Sequence, residues 1–228
     1  MARITTCVFD AYGTLFDVAA AARALASAPG REDFAPHWQQ VAADWRLKQL
    51  EYSWLRAITG DYVDFWDLTQ DGLDWALERA GLSDPGLRAD LLDLYHRLAA
   101  YPEVPDMLAR LKARGLTCAI LSNGSPAMLK AAVDSAGIGD RLDAVLSVAP
   151  LATFKPDRRV YDLVGARFGT SCDEVLFVSS NGWDICSAAA YGFRTLWVNR
   201  ADLPVDRLPG QPDSIAADLA AIPEMLEV

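Results

Sequence analysis

Histidine is scarce in this chain. Two occur in 228 residues, His37 and His96, and neither has a partner at a catalytic spacing, so both read as surface or core residues. Positive charge is short as well: 21 Lys and Arg stand against 31 Asp and Glu, a formal net charge of −10. A chain this acidic argues against a basic face for nucleic acid. It also means that local cations must draw in any anionic substrate against the overall field. The four cysteines (Cys7, Cys118, Cys172, Cys186) lie far apart with no metal-ligand spacing, and they read as free, buried thiols in a reducing compartment. No apolar run is long enough to span a bilayer and no signal peptide is evident, so no membrane partner is expected and a cytoplasmic location is. There is no Gly-x-Gly-x-x-Gly and no phosphate-binding loop, which argues against dinucleotide or triphosphate use. Internal repeats are lacking, and compositional bias is confined to the Pro- and Asp-rich loop Ala201 to Pro212.

What is present is apolar patterning. Hydrophobic residues make up 52% of the chain, enough to bury a core in one large domain or one domain with an insert. Thr5 to Phe9 reads as a buried strand. From Asp17 to about Pro102 the pattern is helical: an Ala-rich helix after Phe16, a turn at Pro29-Gly30, a helix over Pro36 to Ile58 with apolar residues at Leu47, Leu50, Trp54, Leu55 and Ile58, and further helices near Tyr62 to Ala80 and Leu87 to Ala100. Pro102 and Pro105 mark the return. Thereafter strands and helices alternate: strand Thr117 to Leu121, a helix opened by Ser125-Pro126, strand Ala144 to Val148, helix Asp157 to Phe168, strand Val175 to Val178, helix Trp183 to Tyr191, strand Thr195 to Val198 and a closing helix Asp218 to Leu226. The alternation predicts an α/β fold, a doubly wound, parallel, Rossmann-like sheet. Residues 1–16 and 103–228 would form that core, and 17–102 an inserted helical cap domain.

Ligands bind beyond the carboxyl ends of the strands in such sheets. Asp10, Ser122, Lys155 and Asn181 each follow a predicted strand and can converge there. In Val8-Phe9-Asp10-Ala11-Tyr12-Gly13-Thr14-Leu15, Asp10 is a candidate nucleophile, although a strand-end carboxylate can also cap a turn. Thr14 can cap the next helix, hold Asp10 in position, or both. Leu121-Ser122-Asn123-Gly124-Ser125-Pro126 supplies a strand-end hydroxyl beside a helix N-terminus, a suitable place for an anion; as a plain helix cap, Ser125 fits better than Ser122. Lys155, in Phe154-Lys155-Pro156, is alone no more than a common surface lysine before a proline; its place between the motifs on either side favours a cation that neutralises charge near Asp10. Tyr161 lies six residues on, where helix packing is an equal reading. Phe177-Val178-Ser179-Ser180-Asn181-Gly182-Trp183-Asp184 places Asp184 in a helix first turn, a position the dipole also favours.

Taken in order, these four motifs resemble those of the haloacid dehalogenase superfamily, whose first motif is usually Asp-x-Asp-Gly-Thr-Leu and whose fourth, in phosphatases, is Gly-Asp-x-x-x-Asp. Two departures coincide. Tyr12 stands where the second Asp acts as general acid, and Ser180 stands where an Asp binds Mg²⁺. A phosphatase must protonate an alkoxide leaving group and bring a carboxylate up to a multiply charged phosphoryl group, so it needs both. A halide leaves unprotonated, and a 2-halocarboxylate carries one charge. The segment Arg46-Leu47-Lys48-Gln49-Leu50-Glu51-Tyr52 resembles the cap helix of L-2-haloacid dehalogenases, Arg-x-Lys-Gln-x-Glu-Tyr, with Leu47 where Gln is usual, a departure that bears on substrate preference.

The resemblance implies hydrolysis of short (S)-2-haloalkanoic acids to (R)-2-hydroxyalkanoic acids through an ester on Asp10, without metal or organic cofactor, in a homodimer. It implies catalytic roles for Asp10, Thr14, Arg46, Ser122, Lys155, Tyr161, Ser179, Asn181 and Asp184. The substrate carboxylate would lie on Ser122, Lys155 and the N–H groups of Ala11 and Tyr12; the halide would lie on Arg46, Asn123 and Phe65; Leu50 and Trp183 would wall the pocket. The rival readings are a magnesium-dependent phosphatase or phosphomutase of the same superfamily and a non-enzymatic carboxylate-binding protein.

Overall fold

The computed structural model describes residues 2–226. These form a sheet of six parallel strands, β1 (Thr6–Phe9), β2 (Thr117–Ser122), β3 (Ala144–Ser147), β4 (Val175–Ser179), β5 (Arg194–Val198) and β6 (Ser214–Ala216), in the order β3-β2-β1-β4-β5-β6. β1 and β4 are buried along their whole length. Strands covered by helices on both faces need apolar side chains at every position, which is why these two read as continuous apolar runs. Strand order reverses at β1, so the crevice beyond β1 and β4 is the place for a ligand. Phe9 pairs with Ile120 on one side and Val178 on the other. One residue further, Asp10 leaves β1 between Leu121 of β2 and Ser179 of β4.

Between β1 and β2 lie α1 (Ala20–Ala26), α2 (Trp38–Thr59), α3 (Phe65–Arg79), α4 (Pro85–His96) and α5 (Val104–Ala113). The remaining helices are α6 (Pro126–Ala136), α7 (Arg158–Phe168), α8 (Gly182–Tyr191) and α9 (Ile222–Met225). Two elements were not foreseen. α5 holds Pro105 in its first turn, where a missing N–H costs nothing, so the proline that marks the end of the helical block starts another helix. β6 is a three-residue edge strand with Ile215 exposed, too short to show a period. The closing helix is broken into a 3₁₀ turn, Leu219–Ala221, and the four-residue α9.

A larger correction concerns α2. The apolar stripe expected to pack is partly outward: Leu47 and Leu55 are 52% exposed and Ile58 is 82% exposed. The buried face is Val41, Asp44, Trp45, Gln49 and Ser53, held against α3 by polar contacts. Gln49 donates to Thr69 Oγ1 (2.7 Å), Trp45 Nε1 donates to the Thr69 carbonyl (2.6 Å), and Asp44 pairs with Arg79 (2.7 Å). A Cβ on Gly72 of α3 would come within 3.2 Å of the α2 backbone, so the glycine permits the close approach. The thiols also differ slightly from expectation. All four cysteines are free, but Cys172 is only half-buried. Burial pushes the neighbouring Cys7 and Cys118 thiols up, Cys118 to about 12.

The chain leaves the sheet for α1–α4 and returns through two segments that pair with each other. Tyr101 N–H donates to the Leu15 carbonyl (2.9 Å), Asp17 N–H donates to Ala99 (3.1 Å), and Phe16 and Ala100 form an antiparallel bridge. Arg200, after β5, spans both segments. Its guanidinium pairs with Glu103 (2.6 Å), reaches the Thr14 carbonyl (3.4 Å) and lies 3.7 Å from the Tyr101 ring centroid.

Candidate active site

Asp10 leaves β1 and is nearly buried, 7% exposed. Three donors hold its carboxylate. Thr14 Oγ1 (3.1 Å) and Asn181 Nδ2 (3.0 Å) donate to Oδ2, and Lys155 Nζ (3.1 Å) donates to Oδ1. The Thr14 hydroxyl also accepts from the Ser180 N–H (2.8 Å), which ties the turn after β1 to the turn after β4. Gly13 allows this turn: its φ is +87°, and a Cβ there would lie 3.2 Å from Ser180 Oγ. Ser180, at the position of the expected metal ligand, therefore spends its side chain on Thr14, 3.2 Å away.

Lys155 is buried and bridges two carboxylates, with Asp184 Oδ2 at 2.8 Å on its other side. Burial alone would lower its pKa. The facing Asp10 and Asp184 more than offset this, and the net direction is upward. Asp184 sits in the first turn of α8 with no exposed surface. Desolvation raises its carboxyl above the ordinary range, against the opposing pull of Lys155. Tyr161 donates to Asp184 Oδ1 (2.8 Å) and packs edge-on against Phe177 and Phe193, so it serves packing and the site together. Its own hydroxyl is pushed well up by burial, then by Asp184.

The backbone around Lys155 is set from β2: Asn123 Oδ1 accepts from the Lys155 N–H (2.8 Å). Ser122 Oγ accepts from Gly124 N–H (3.1 Å), and a Cβ at Gly124 would strike the Tyr12 ring at 2.8 Å. Ser125, as expected, caps α6 through Met128 N–H. At α8 the N-cap residue is Asn181, yet its side chain caps nothing; it is turned to Asp10 instead. Ser179 Oγ accepts from the Asn181 N–H (3.1 Å), so Ser179 reaches Asp10 through Asn181.

Arg46 comes from α2. Its guanidinium donates to Gln49 Oε1 (2.7 Å), the Tyr12 carbonyl (3.2 Å) and Asn181 Oδ1 (3.4 Å). The Asn181 amide thus joins Arg46 on one side to Asp10 on the other. Arg46, Leu50, Phe65, Ser122, Asn123 and Trp183 close over Asp10 and Lys155, with Tyr12 and Asn181, around a cavity of about 10 Å³. The Tyr12 ring is buried between Phe16, Phe65 and Tyr95. Burial, then Tyr95, raises its hydroxyl well above 10, which makes it a poor proton donor. Ala11 is buried and gives its carbonyl to the N–H groups of Thr14, Leu15 and Phe16. Thr14, Tyr161, Ser179 and Asp184 stand directly behind the residues that line the cavity.

Two contributors escaped the sequence reading. Gln49 orients Arg46 and is itself held by Thr69 and Tyr95, and Tyr95 stacks on Tyr12 at 5.6 Å. Gln49 lay within the Arg-x-Lys-Gln motif, which was a usable signal; Tyr95 is distant in sequence and carried none. Among the described residues no three His, Cys, Asp or Glu side chains gather in a metal-binding group, and Lys155 occupies the space between Asp10 and Asp184.

A family model for haloacid dehalogenase-like hydrolases matches residues 4–192. The chain belongs to that family. Among individual haloacid dehalogenase-like hydrolases, it is 44% identical over 222 residues to the (S)-2-haloacid dehalogenase of Pseudomonas sp. (strain YL), covering 96% of this chain and 93% of that one. A dehalogenase crystal structure with an intermediate complex superposes with a TM-score of 0.94 at 37% identity, covering 100% of this chain and 99% of the other. The L-2-haloacid dehalogenase of Xanthobacter autotrophicus with chloropropionic acid covalently bound superposes with a TM-score of 0.85 at 38% identity, covering 98% of each chain.

Proposed function

We propose that this haloacid dehalogenase-like hydrolase cleaves the carbon–halogen bond of short (S)-2-haloalkanoic acids and releases (R)-2-hydroxyalkanoic acids. The observation that carries this reading is the Asn181 amide bridging Asp10 to Arg46: a held carboxylate faces a guanidinium across a small, largely apolar cavity. A nucleophile and a receiver for a departing anion stand opposite each other.

An Asp10 carboxylate oxygen attacks C2 from the side away from the halogen. The C–X bond breaks, its electron pair leaves on the halide toward Arg46, Asn123 and Phe65, and C2 inverts as it becomes esterified to Asp10. Water then adds to the Asp10 side-chain carbonyl and gives its proton to Asp184, whose desolvated carboxylate is a better acceptor than an ordinary Asp. The ester C–O bond on the carbonyl side breaks, the product alkoxide takes that proton from Asp184, and Asp10 keeps the oxygen of water and releases its remaining proton to solvent as the carboxylate is restored. Lys155 offsets charge on Asp10 and, with Ser122 and the Ala11 and Tyr12 N–H groups, holds the substrate carboxylate. Thr14, Ser179 and Tyr161 keep Asp10, Asn181 and Asp184 in place, and Leu50 and Trp183 wall the pocket. No metal or organic cofactor takes part.

In this reading residues 17–102 act as a cap over a core of 1–16 and 103–228. The paired segments around Phe16 and Ala100 form the joint, and the cap must shift to admit substrate, because the cavity has room for about one water molecule. A cytoplasmic homodimer completes the proposal. The phosphatase reading has little to work with, since Tyr12 is buried among aromatic rings and Ser180 is committed to Thr14.

Single-turnover hydrolysis of (S)-2-chloropropionate in heavy-oxygen water tests the scheme. Label is expected in Asp10 after the first turnover and not in the first product. Label appearing directly in first-turnover lactate would mean that water attacks C2 and that Asp10 is not the nucleophile.

A further inference from the structure

Two recesses adjoin the cavity. One shares Arg46 and is lined by Trp38, Trp45, Gln49 and Tyr95; its volume is about 320 Å³. The other shares Trp183 and runs between α2 and the start of α8, lined by Trp54, Ala57, Ile58, Pro156 and Leu208; its volume is about 580 Å³ and it opens to solvent. Given the reaction proposed above, C2 of the substrate carries a carboxylate, a halogen, a hydrogen and an alkyl tail. The carboxylate goes to Ser122 and Lys155 and the halogen to Arg46, so the recess behind Arg46 lies at the anion end. The tail is left with the apolar wall of Leu50, Phe65 and Trp183, and of these Trp183 has the second recess on its far side.

The partition is built to yield. Trp183 meets Trp54 edge to face, centroids 5.3 Å apart and planes at 81°. Both indole N–H groups are buried without a hydrogen-bond partner, so the pair rests on ring packing alone and can repack without breaking a hydrogen bond. The groove also sets an orientation. Its one charged lining residue, Asp157, is committed to Arg159 and the N-terminus of α7, and no lysine or arginine lines the groove to receive a carboxylate.

We infer that this groove is a tail subsite: 2-haloalkanoic acids longer than propionate pass their alkyl chain beside Trp183 into the channel formed by Trp54, Ala57 and Ile58. Trp183 and Trp54 thereby set chain-length preference, and the inference rests on the dehalogenation reading.

The test is a chain-length series, (S)-2-bromopropanoate to (S)-2-bromooctanoate, on the intact protein, with (S)-2-chloropropionate as reference. Each methylene that enters the groove should raise kcat/KM by roughly 2- to 4-fold, the upper figure corresponding to full burial of a methylene. Ala57→Glu, and separately Ile58→Asp on the open rim, place a charge in the groove; both should cancel the gain and leave (S)-2-chloropropionate turnover within about twofold, because neither residue lines the cavity at Asp10. Binding of the plain carboxylates propanoate to octanoate, which cannot react, gives a second readout. Affinity should rise with length in the parent protein and stay flat in the two variants. A kcat/KM that is flat or falls with length, or a gain that survives both substitutions, overturns the subsite. Failure to turn over (S)-2-chloropropionate would count against the dehalogenation reading alone, because the unreactive carboxylates still report on the groove, and length-independent affinity there overturns the subsite on its own.

Discussion

Replacing Lys155 by Met keeps the volume of the side chain and removes its charge. The ammonium is 1% exposed and touches Asp10 and Asp184 at 3.1 and 2.8 Å, so the variant buries two carboxylates with no cation between them. Breaking a buried ion pair from one side costs about 3–5 kcal/mol, against a total stability of about 5–15 kcal/mol for a typical domain. Part of that loss is avoidable, because one carboxylate of the pair can take up a proton. The sign follows from proton counting. In the variant the folded state holds a proton that the unfolded carboxylates, with ordinary values near 4, have lost at neutral pH. Stability therefore falls as pH rises, by about 1.4 kcal/mol per pH unit for one proton until the folded pair ionises. Urea unfolding of parent and variant between pH 4.5 and 8 measures this. The gap between them should be about 3 kcal/mol or more at pH 7.5 and should shrink at acid pH. A gap that does not change with pH, or a variant as stable as the parent at pH 7.5, would show that Lys155 does not hold two ionised carboxylates. Halide release by the variant should be lost throughout.

Arg46→Ala should lower kcat on the order of 100-fold, as for a lost oxyanion donor, because the charge it meets grows during displacement; near-normal kcat with a raised KM would show that Arg46 only attracts the substrate. Gln49→Ala frees the guanidinium from the 2.7 Å bond to Gln49 and should give a smaller loss in kcat, which Gln49→Glu restores in part by supplying an acceptor. The acid limb of kcat should lie above the ordinary aspartate range, since burial raises Asp184 and its proton-accepting form is lost as pH falls through that value; Asp184→Asn should stop turnover after ester formation, seen as one equivalent of halide per chain. Arg200→Met removes an ion pair and a cation–π contact, about 1–2 kcal/mol together, and should speed hydrogen exchange at the Asp17 and Tyr101 amides; unchanged exchange there would mean that the two linkers pair without help from Arg200.

The parallel sheet was legible in the sequence because buried parallel strands need unbroken apolar runs, and those runs bring Asp10, Ser122 and Asn181 to one edge at or just past their strand ends; Lys155 lies well beyond β3 and reaches that edge through a loop that Asn123 holds. The motif that contains Arg46 was legible too. Other features were decided by tertiary contacts that no local pattern encodes. α2 buries Asp44 and Gln49 in preference to Leu47, Leu55 and Ile58 because α3 supplies hydrogen-bond and ion-pair partners to that face, and the approach at Gly72 leaves no room for larger side chains. β6 exists because β5 offers it an open edge; three residues carry no period of their own. Asn181 gives up its helix cap because Asp10 comes within reach only when β1 and β4 lie side by side. The groove past Trp54 arises where α2 meets the start of α8, from residues more than a hundred positions apart in the chain.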